Sequence, residues 1–263
     1  MRMKDGTLLP AYNVMLSTEN QFIVNYTIHQ NAGDSNLFVE HMKKLEVLSD
    51  KKVTNAIADA AFGSEQNYSY LEKLEIGNYL KFSTFHKEQT KKHKENIFHK
   101  DNFEYDKKSN SFKCPDGRVL NYKDSEFKKN KNGTLSYVKI YESSNCDNCI
   151  LGDRCKKGNL RSIQVNTRLE RYKQEARENL SSDKGIELRK LRGVEVETVF
   201  GNIKWNYGFR RFLLRGIEKV NIEMGLLSIA QNFRKLYKIG LKGFALYTFF
   251  VFYNNIFKKY QVV

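Results

Sequence analysis

One acidic residue, Asp59, stands where a carboxylate could do chemistry. It directly follows residues 53–58, a short apolar run that predicts a buried strand, and it precedes the segment Ala60-Ala-Phe-Gly-Ser64. Sheets in α/β proteins present functional groups at the carboxyl ends of their strands, because ligands bind in the crevice there. For this residue taken alone, a turn or helix-capping role is an equally good interpretation.

A second acidic residue, Glu197, lies beside an apolar helical stripe. The stripe is formed by Val196, Val199, Phe200, Ile203 and Tyr207. Glu197, Gly201 and Lys204 fall on an adjoining face, and we expect the glycine to let another backbone approach. At about 1.5 Å per residue, Glu197 and Lys204 stand about 10 Å apart. The pattern suits a metal-binding carboxylate, although a solvated face of glutamate and lysine is the simpler interpretation.

The four cysteines could form a metal site. They are Cys114, Cys146, Cys149 and Cys155. The first begins a Cys-Pro-Asp-Gly turn and the next two are separated by two residues, as in zinc knuckles, and four thiolates satisfy tetrahedral Zn²⁺. We therefore predict structural zinc, with reduced thiols that hold no ligand as the alternative. Disulfides are disfavoured in a reducing compartment.

Basic residues concentrate between positions 204 and 242, which contain nine Lys and Arg against two Glu. Arg210, Arg211 and Arg215 could neutralise phosphates, and exposed aromatic rings could stack on unpaired bases. The interleaved aromatic residues are Trp205, Tyr207, Phe209 and Phe212. An amphipathic helix pair with a solvated basic face is the alternative. We expect the aromatic rings to lie mostly in the core and the arginines to meet DNA.

Composition limits the class of protein. The chain has 263 residues, 45 Lys and Arg against 30 Asp and Glu, and a net charge of +15, which favours polyanionic partners. Four cysteines in such a length exclude a secreted disulfide scaffold. The N-terminus resembles no signal peptide. The apolar run at 243–257 is shorter than the roughly 20 residues of a spanning helix. We therefore expect a buried or partner-facing helix rather than an interfacial membrane anchor, no membrane partner and a cytoplasmic location.

The order of elements predicts a mixed α/β layer for the first 84 residues. Strands at 12–16 and 22–28, a helix from Asp34, the strand before Asp59, a helix capped by Ser64 and a strand at 77–82 give the order β-β-α-β-α-β. The polar run at 86–100, with His86, His93 and His99, predicts a linker whose histidines are solvated.

Hairpin signals then predict a small β insert, and the rest of the chain predicts helices. The expected divisions are 1–84, the first part of the main domain; 85–165, the cysteine-containing insert with its basic linker; 166–240, the helical part; and 241–263, an apolar tail.

Three segments resemble the catalytic blocks of DDE transposases from bacterial insertion sequences. Residues 58–68, Ala-Asp-Ala-Ala-Phe-Gly-Ser-Glu-Gln-Asn-Tyr, resemble the second-aspartate block, and residues 192–216, which begin Arg-Gly-Val-Glu-Val-Glu, resemble the glutamate block. Met3-Lys-Asp-Gly with Ala11-Tyr-Asn resembles the segment before the second aspartate. The resemblance implies a ribonuclease-H-like fold with an insert before the glutamate helix. It implies Mg²⁺ or Mn²⁺ held by three carboxylates, two of them Asp59 and Glu197.

The match to the family pattern is incomplete in two places. Some relatives carry Tyr-x2-Arg-x3-Glu-x6-Lys. Glu197 and Lys204 fit it, so the resemblance implies that Lys204 is catalytic with Asp59 and Glu197. Arg192, which we expect to bind DNA, is one residue too far from the glutamate. The first aspartate is expected to precede Met1, since Asp5 and Asp34 are poor substitutes. Its strand lies centrally in the family's sheet, so its loss would leave interior strands unpaired.

The resemblance implies DNA transposition acting on transposon ends and target DNA, by a chain that we expect to be a truncated, catalytically incomplete copy. An upstream-encoded fragment or a homo-oligomer is the implied protein partner. Two alternatives remain: a non-catalytic DNA-binding protein that inhibits full-length transposase, and, less favoured, a protein bound to a membrane surface.

Overall fold

The computed structural model describes residues 6–8, 10–31, 33–49, 52–130, 133–156 and 158–239. The chain divides into two compact units, one formed by Met1–Phe82 with Ala176–Val263 and the other by Ser83–Glu175. The second unit is therefore inserted in the sequence of the first. Asp5, the whole apolar tail at 241–263 and its run at 243–257 lie outside the described residues.

The first part of unit 1 has the β-β-α-β-α-β order predicted from sequence. Its elements are β1 (Asn13–Glu19), β2 (Phe22–His29), α1 (Phe38–Leu48), β3 (Asn55–Ala58), α2 (Glu65–Lys73) and β4 (Gly77–Leu80). Strands β1 and β2 form an antiparallel hairpin, whereas β3 and β4 pair in parallel. Within the described residues no ladder joins the two pairs. The fold is mixed α/β.

A buried histidine ties the hairpin to α1. His41 is fully buried, with Nε2 2.7 Å from Ser17 Oγ and Nδ1 2.8 Å from Thr27 Oγ1. Burial, with smaller contributions from His29 and Lys44, lowers the pKa of His41 to about 3. The ring is therefore neutral at pH 7, and both of its nitrogens have hydroxyl partners.

Unit 2 contains a five-stranded antiparallel sheet in chain order. Its elements are α3 (Phe85–Glu88), α4 (Lys91–Lys94), β5 (Glu104–Asp106), β6 (Ser111–Lys113), β7 (Val119–Lys129), β8 (Leu135–Ser143), α5 (Gly152–Cys155) and β9 (Ser162–Val165). Its core contains Phe103, Leu120, Tyr141 and Ile163. The sheet agrees with the predicted hairpins.

The polar run at 86–100, predicted as a linker, is instead locally ordered. Thr90 caps α4 by accepting a hydrogen bond from His93 N, and the Asn102 amide donates to the carbonyls of His93 and Asn96 at 2.8 and 2.9 Å. Hydrogen bonds between side chains and backbone order this segment without requiring an apolar face. Its sequence therefore shows no hydrophobic periodicity from which the order could be predicted.

Helices form most of the remaining described part of the chain. They are α6 (Thr167–Ser181), which spans the boundary at 175/176, then α7 (Asp183–Arg192), α8 (Thr198–Gly201) and α9 (Ile217–Lys238). A π turn, Gly193–Glu197, separates α7 from α8, and a second π turn, Asn202–Asn206, follows α8. The hairpin, α8, the second π turn and α9 share one core that includes Leu16, Ile28, Val199, Ile203 and Met224. No described helix is both long enough and apolar enough to cross a bilayer.

Candidate active site

Asp59 and Lys81 directly follow the last residues of two neighbouring strands, β3 and β4. Ala58 of β3 is in register with Leu80 of β4, so the next residue of each strand stands at the same edge. A Cβ added to Gly63 would collide with Lys81 O and with Phe82 Cα, 2.6 Å away. The glycine therefore lets the turn after Asp59 pack against the chain leaving β4, and this fixes where the carboxylate emerges.

Arg192 joins the two predicted catalytic carboxylates. Its Nη2 donates a short hydrogen bond to Asp59 Oδ2, and its Nη1 donates to Glu197 Oε1 at 3.1 Å. Only 13% of the Arg192 side chain is exposed, against 54% for Asp59 and 66% for Glu197. One nearly buried guanidinium therefore holds two largely exposed carboxylates that come from distant parts of the sequence.

The π turn accounts for the spacing that departs from the family pattern. Arg192 and Glu197 are five residues apart, and Gly193–Glu197 forms a π turn in which backbone bonds run from i to i+5. Residues five apart then share a face, as residues four apart do on an α-helix. The extra residue is absorbed in the turn, and Arg192 still reaches the glutamate.

The neighbouring Glu195 has a different role from that of Glu197. It is 4% exposed and accepts a hydrogen bond at 2.5 Å from Gln21 N in the β1–β2 turn, where Asn20 and Gln21 have φ of 51° and 64°. Burial raises the pKa of Glu195, and the bond from Gln21 opposes that shift. Glu195 anchors the π turn to the hairpin, while Glu197 faces solvent.

Lys81 is a charged member of the site that sequence analysis missed. Burial lowers the pKa of Lys81, the Arg192 guanidinium lowers it further, and the carboxylates of Asp59 and Glu197 act in the opposite direction. Its position directly after a strand, like that of Asp59, is the one signal in the sequence that could have found it.

The sequence predicted roles for two residues of the glutamate helix, Lys204 and Gly201. Lys204, predicted to be catalytic, has its Nζ 5.2 Å from the centre of the Phe200 ring. The expectation that Gly201 admits another backbone is wrong, because within the described chain an added Cβ there meets no atom within 4 Å. The close approach occurs at Gly63 instead, where the chain turns after a strand rather than running along an exposed helix.

The predicted DNA-binding arginines Arg210, Arg211 and Arg215 lie exposed on the irregular segment 207–216 between the second π turn and α9. The Arg210 guanidinium stands 4.4 Å from the centre of the Trp205 ring, which is 71% exposed. The other three aromatic residues, Tyr207, Phe209 and Phe212, pack against the core. This basic loop therefore presents cations and one indole face to solvent.

Hydrogen bonds to the side chains of Glu223 and Tyr12 hold the basic loop in place. The carboxylate of Glu223, a residue 8% exposed on α9, accepts from the backbone N–H groups of Leu213 and Leu214 at 2.8 and 3.1 Å. Tyr12 Oη accepts from Gly216 N at 2.9 Å. These bonds satisfy backbone donors in a segment that has no regular structure.

In unit 2 the four cysteines line one cavity. The turn after Cys114 is tied to the loop after Cys146 by Arg118, which donates to the carbonyls of Asn145 and Asp147 at 3.1 and 3.0 Å. Burial raises the pKa of the Cys155 thiol; nearby Arg161 opposes that rise, and the other three thiols add to it. The thiols are therefore close enough to interact electrostatically.

Among the described His, Cys, Asp and Glu side chains, one group places three donor atoms within 4.8 Å of one another, and it is His93, His99 and Asp101. No three of the sulfurs around the cavity all lie within that distance of one another. The histidines, expected to be solvated, have side-chain exposures of 14% for His93 and 36% for His99. The sequence placed both in a polar run and gave no sign of the convergence.

Comparison with known proteins gives one match. Residues 113–237 match a protein-family model described as Transposase DDE domain. The match includes Arg192, Glu197, the basic loop and all four cysteines, whereas Asp59 and Lys81 precede it. No curated protein and no solved structure matches the chain.

Proposed function

We propose that this chain, which carries a match to the transposase DDE domain over residues 113–237, functions in DNA transposition by metal-dependent polynucleotidyl transfer. The observation that carries the proposal is the Arg192 guanidinium, which contacts Glu197 within the matched region and Asp59, 133 residues away in the sequence and outside it. The family resemblance names these same two carboxylates as catalytic. A structural salt bridge alone would not require both carboxylates to be so exposed.

The donor set fits Mg²⁺ or Mn²⁺, which prefer carboxylate oxygens. Within the described residues, only Arg192 donates to the side chains of Asp59 and Glu197, so each keeps an oxygen facing solvent. Asp59 and Glu197 would hold the metal, which when bound activates a hydroxyl nucleophile and stabilises the leaving oxygen. Arg192 and Lys81 add positive charge next to the position that a negatively charged DNA phosphate would occupy.

The described strands support a ribonuclease-H-like sheet that lacks one central strand. β1 and β3 are largely buried, yet β1 pairs with β2, β3 pairs with β4, and no described strand joins the pairs. We propose that a further strand, from an upstream-encoded segment or from a second copy, fills this position and brings the third carboxylate. By itself this chain is then catalytically incomplete.

The basic loop is the proposed DNA contact. Arg210, Arg211 and Arg215 can neutralise phosphates, and the exposed Trp205 ring can stack on an unpaired base at a transposon end. Arg192, predicted to bind DNA, is paired with carboxylates, and that prediction stays a prediction. We place this activity in the cytoplasm.

The cysteine cavity is proposed to hold structural Zn²⁺. Cys114, Cys146, Cys149 and Cys155 line it together, and zinc bound there would cross-link the Cys-Pro-Asp-Gly turn to α5. Thiols must lose protons to bind zinc, so binding should weaken as pH falls. The check is zinc content after purification, with Cys149→Ser expected to lower it.

The test of catalysis is a strand-transfer assay with Mg²⁺, run on this chain alone and with the upstream segment restored. We expect no product from the chain alone and product from the restored protein. Asp59→Asn and Glu197→Gln should each reduce product about a hundredfold or more, since even outer-shell groups at metal sites cost 10- to 100-fold. Glu187→Gln, the same change at an exposed position of α7, is the matched control.

Full activity in both site variants would overturn the proposal. A different set of results would favour the inhibitor function over transposition. In that case every form binds DNA, no form transfers strands, and this chain suppresses an active transposase.

A further inference from the structure

We propose that His93, His99 and Asp101 form a tetrahedral binding site for Zn²⁺ in unit 2, separate from both the carboxylate pair and the cysteine cavity. Their donor atoms lie within 4.8 Å of one another. Two imidazoles and one carboxylate are ligands that zinc accepts. The inference stands independently of the transposition chemistry proposed above.

The distances fit a tetrahedral zinc ion better than a small octahedral ion such as Mg²⁺. His99 Nδ1 lies 3.3 Å from Asp101 Oδ2, and His93 Nε2 lies 3.7 Å from the same oxygen. Ligands about 2.0–2.1 Å from a tetrahedral centre are about 3.3–3.4 Å apart. Octahedral ligands at the same bond length would stand about 2.9 Å apart. Both nitrogen–oxygen distances therefore lie within a few tenths of an ångström of the spacing around a tetrahedral ion.

The lone pair of one histidine is already directed toward the residue that carries the shared carboxylate. His99 Nδ1 accepts a long hydrogen bond, 3.4 Å, from Asp101 N, so this nitrogen carries no proton. A metal ligand needs the same tautomer, in which Nδ1 is unprotonated. Since the bond is long, little is lost when the lone pair is given to a metal.

The backbone around the site is held independently of any ion. Thr90 caps the helix that carries His93, and the Asn102 amide bridges the carbonyls of His93 and Asn96. Asp101 lies in the short 3₁₀ turn Lys100–Asn102 directly after His99. The three ligands thus belong to one locally bonded loop, which reduces the ordering that binding must impose.

The surroundings select against hard cations. Lysines at positions 91, 92, 94 and 100 flank the ligands in the sequence, and two of the three ligands are imidazoles, whereas Mg²⁺ prefers oxygen ligands. Zinc binds neutral imidazole strongly enough not to need a cluster of acids. Three protein ligands leave a fourth position for water or for an outside group.

The test measures zinc binding by the whole chain against a chromophoric chelator, without DNA or Mg²⁺. His93→Ala, His99→Ala and Asp101→Asn should each weaken one equivalent of zinc about tenfold or more, because outer-shell changes alone cost 10- to 100-fold. His86→Ala is the matched control, since His86 lies in the same run outside the cluster, with its ring 5.3 Å from that of Phe85. Unchanged stoichiometry and affinity in all three variants would overturn the proposal.

A second measurement on the unaltered chain guards against misfolded variants and against zinc held by thiols. Imidazole nitrogen NMR should show the His99 Nδ1 and His93 Nε2 resonances shifting with one equivalent of Zn²⁺ in a Cys149→Ser background as well as in the wild type. Resonances that stay in place while zinc binds would assign the metal to the cysteines and refute the histidine site. Strand-transfer results have no bearing on either outcome.

Discussion

Arg192 supplies a fixed positive charge to two carboxylates that are proposed to bind a divalent ion, so the guanidinium and the ion compete for the same oxygens. We expect Arg192→Gln to bind Mn²⁺ about fivefold more tightly, since one exposed ion pair contributes up to about 1 kcal/mol. Titration followed by electron paramagnetic resonance measures this, with Arg211→Gln as the control for lost charge. Weaker Mn²⁺ binding in Arg192→Gln would instead make the arginine a support for the metal ligands.

Two glycines give opposite expectations for the same substitution. Gly63→Ala should lower the free energy of unfolding by about 1–3 kcal/mol or more, because the new methyl group meets backbone atoms of the chain after β4. Gly201→Ala has open space around it in a helix and should raise it by about 0.5–1 kcal/mol. Denaturant unfolding of both variants checks this, and equal effects would contradict the packing described for Gly63.

The neutral histidine in the hairpin core makes stability depend on pH. The pKa of His41 falls from 6.5 to about 3 on folding, so between these values the unfolded chain binds the extra proton. Stability is then lost as pH falls from 6.5 toward 3, by up to about 1.4 kcal/mol per pH unit. Between pH 7 and pH 5 the free energy of unfolding should therefore fall less in His41→Asn than in His86→Asn, and denaturant unfolding of both variants at the two pH values measures this. Equal falls in the two variants would contradict the assignment of this pH dependence to His41.

At the residue scale, motif and spacing were enough to select Asp59, Glu197 and the cysteines as candidates, and the structure brings the two carboxylates to one arginine and the cysteines to one cavity. Motif and spacing could not identify Lys81, whose relation to Asp59 depends on the pairing of β3 with β4. Nor could they distinguish buried Glu195 from exposed Glu197, because both lie in the same Val-Glu-Val-Glu segment and the β1–β2 turn decides which is buried.

At the scale of elements, the π turn predicts which deletion the glutamate helix tolerates. Removing Val194, which is 53% exposed within the turn, should leave a regular helix with Arg192 and Glu197 four residues apart and still in contact. Removing Glu187 from regular α7 should turn buried Leu188 about 100° away from the core and cost several kcal/mol.

Thermal unfolding followed by circular dichroism separates the two deletions. A similar loss of stability in both would mean that the π turn does not absorb an extra residue.

Elements with a clear hydrophobic period were predictable, as the β1–β2 hairpin, α2 and α9 illustrate. The ordered run at 86–100 was not, because caps and side-chain amides fold it without an apolar face. The π turns were also beyond prediction, since the stripe through Val199 and Ile203 suggests an uninterrupted α-helix.

For the whole molecule, the +15 charge predicts binding to DNA that depends on salt. The logarithm of the association constant should fall with the logarithm of salt concentration, and Arg210→Gln should reduce the slope by about 0.9 for one lost phosphate contact. Lys107→Gln, an equal charge change in unit 2, is the control. If fluorescence anisotropy finds equal slopes for the two variants, the basic loop is not the phosphate contact.

The π turn before Glu197 also determines how this chain should be aligned with sequences that match the same transposase DDE domain model. Where a homologue has its arginine four positions before the glutamate, the gap belongs between 193 and 196, inside the turn. A gap placed on either side would pair the wrong columns, and Arg192 would be scored as a loss of the equivalent position. One extra residue, accommodated by widening a single helical turn, thus changes the spacing of Arg192 and Glu197 in the sequence without breaking their contact in the structure.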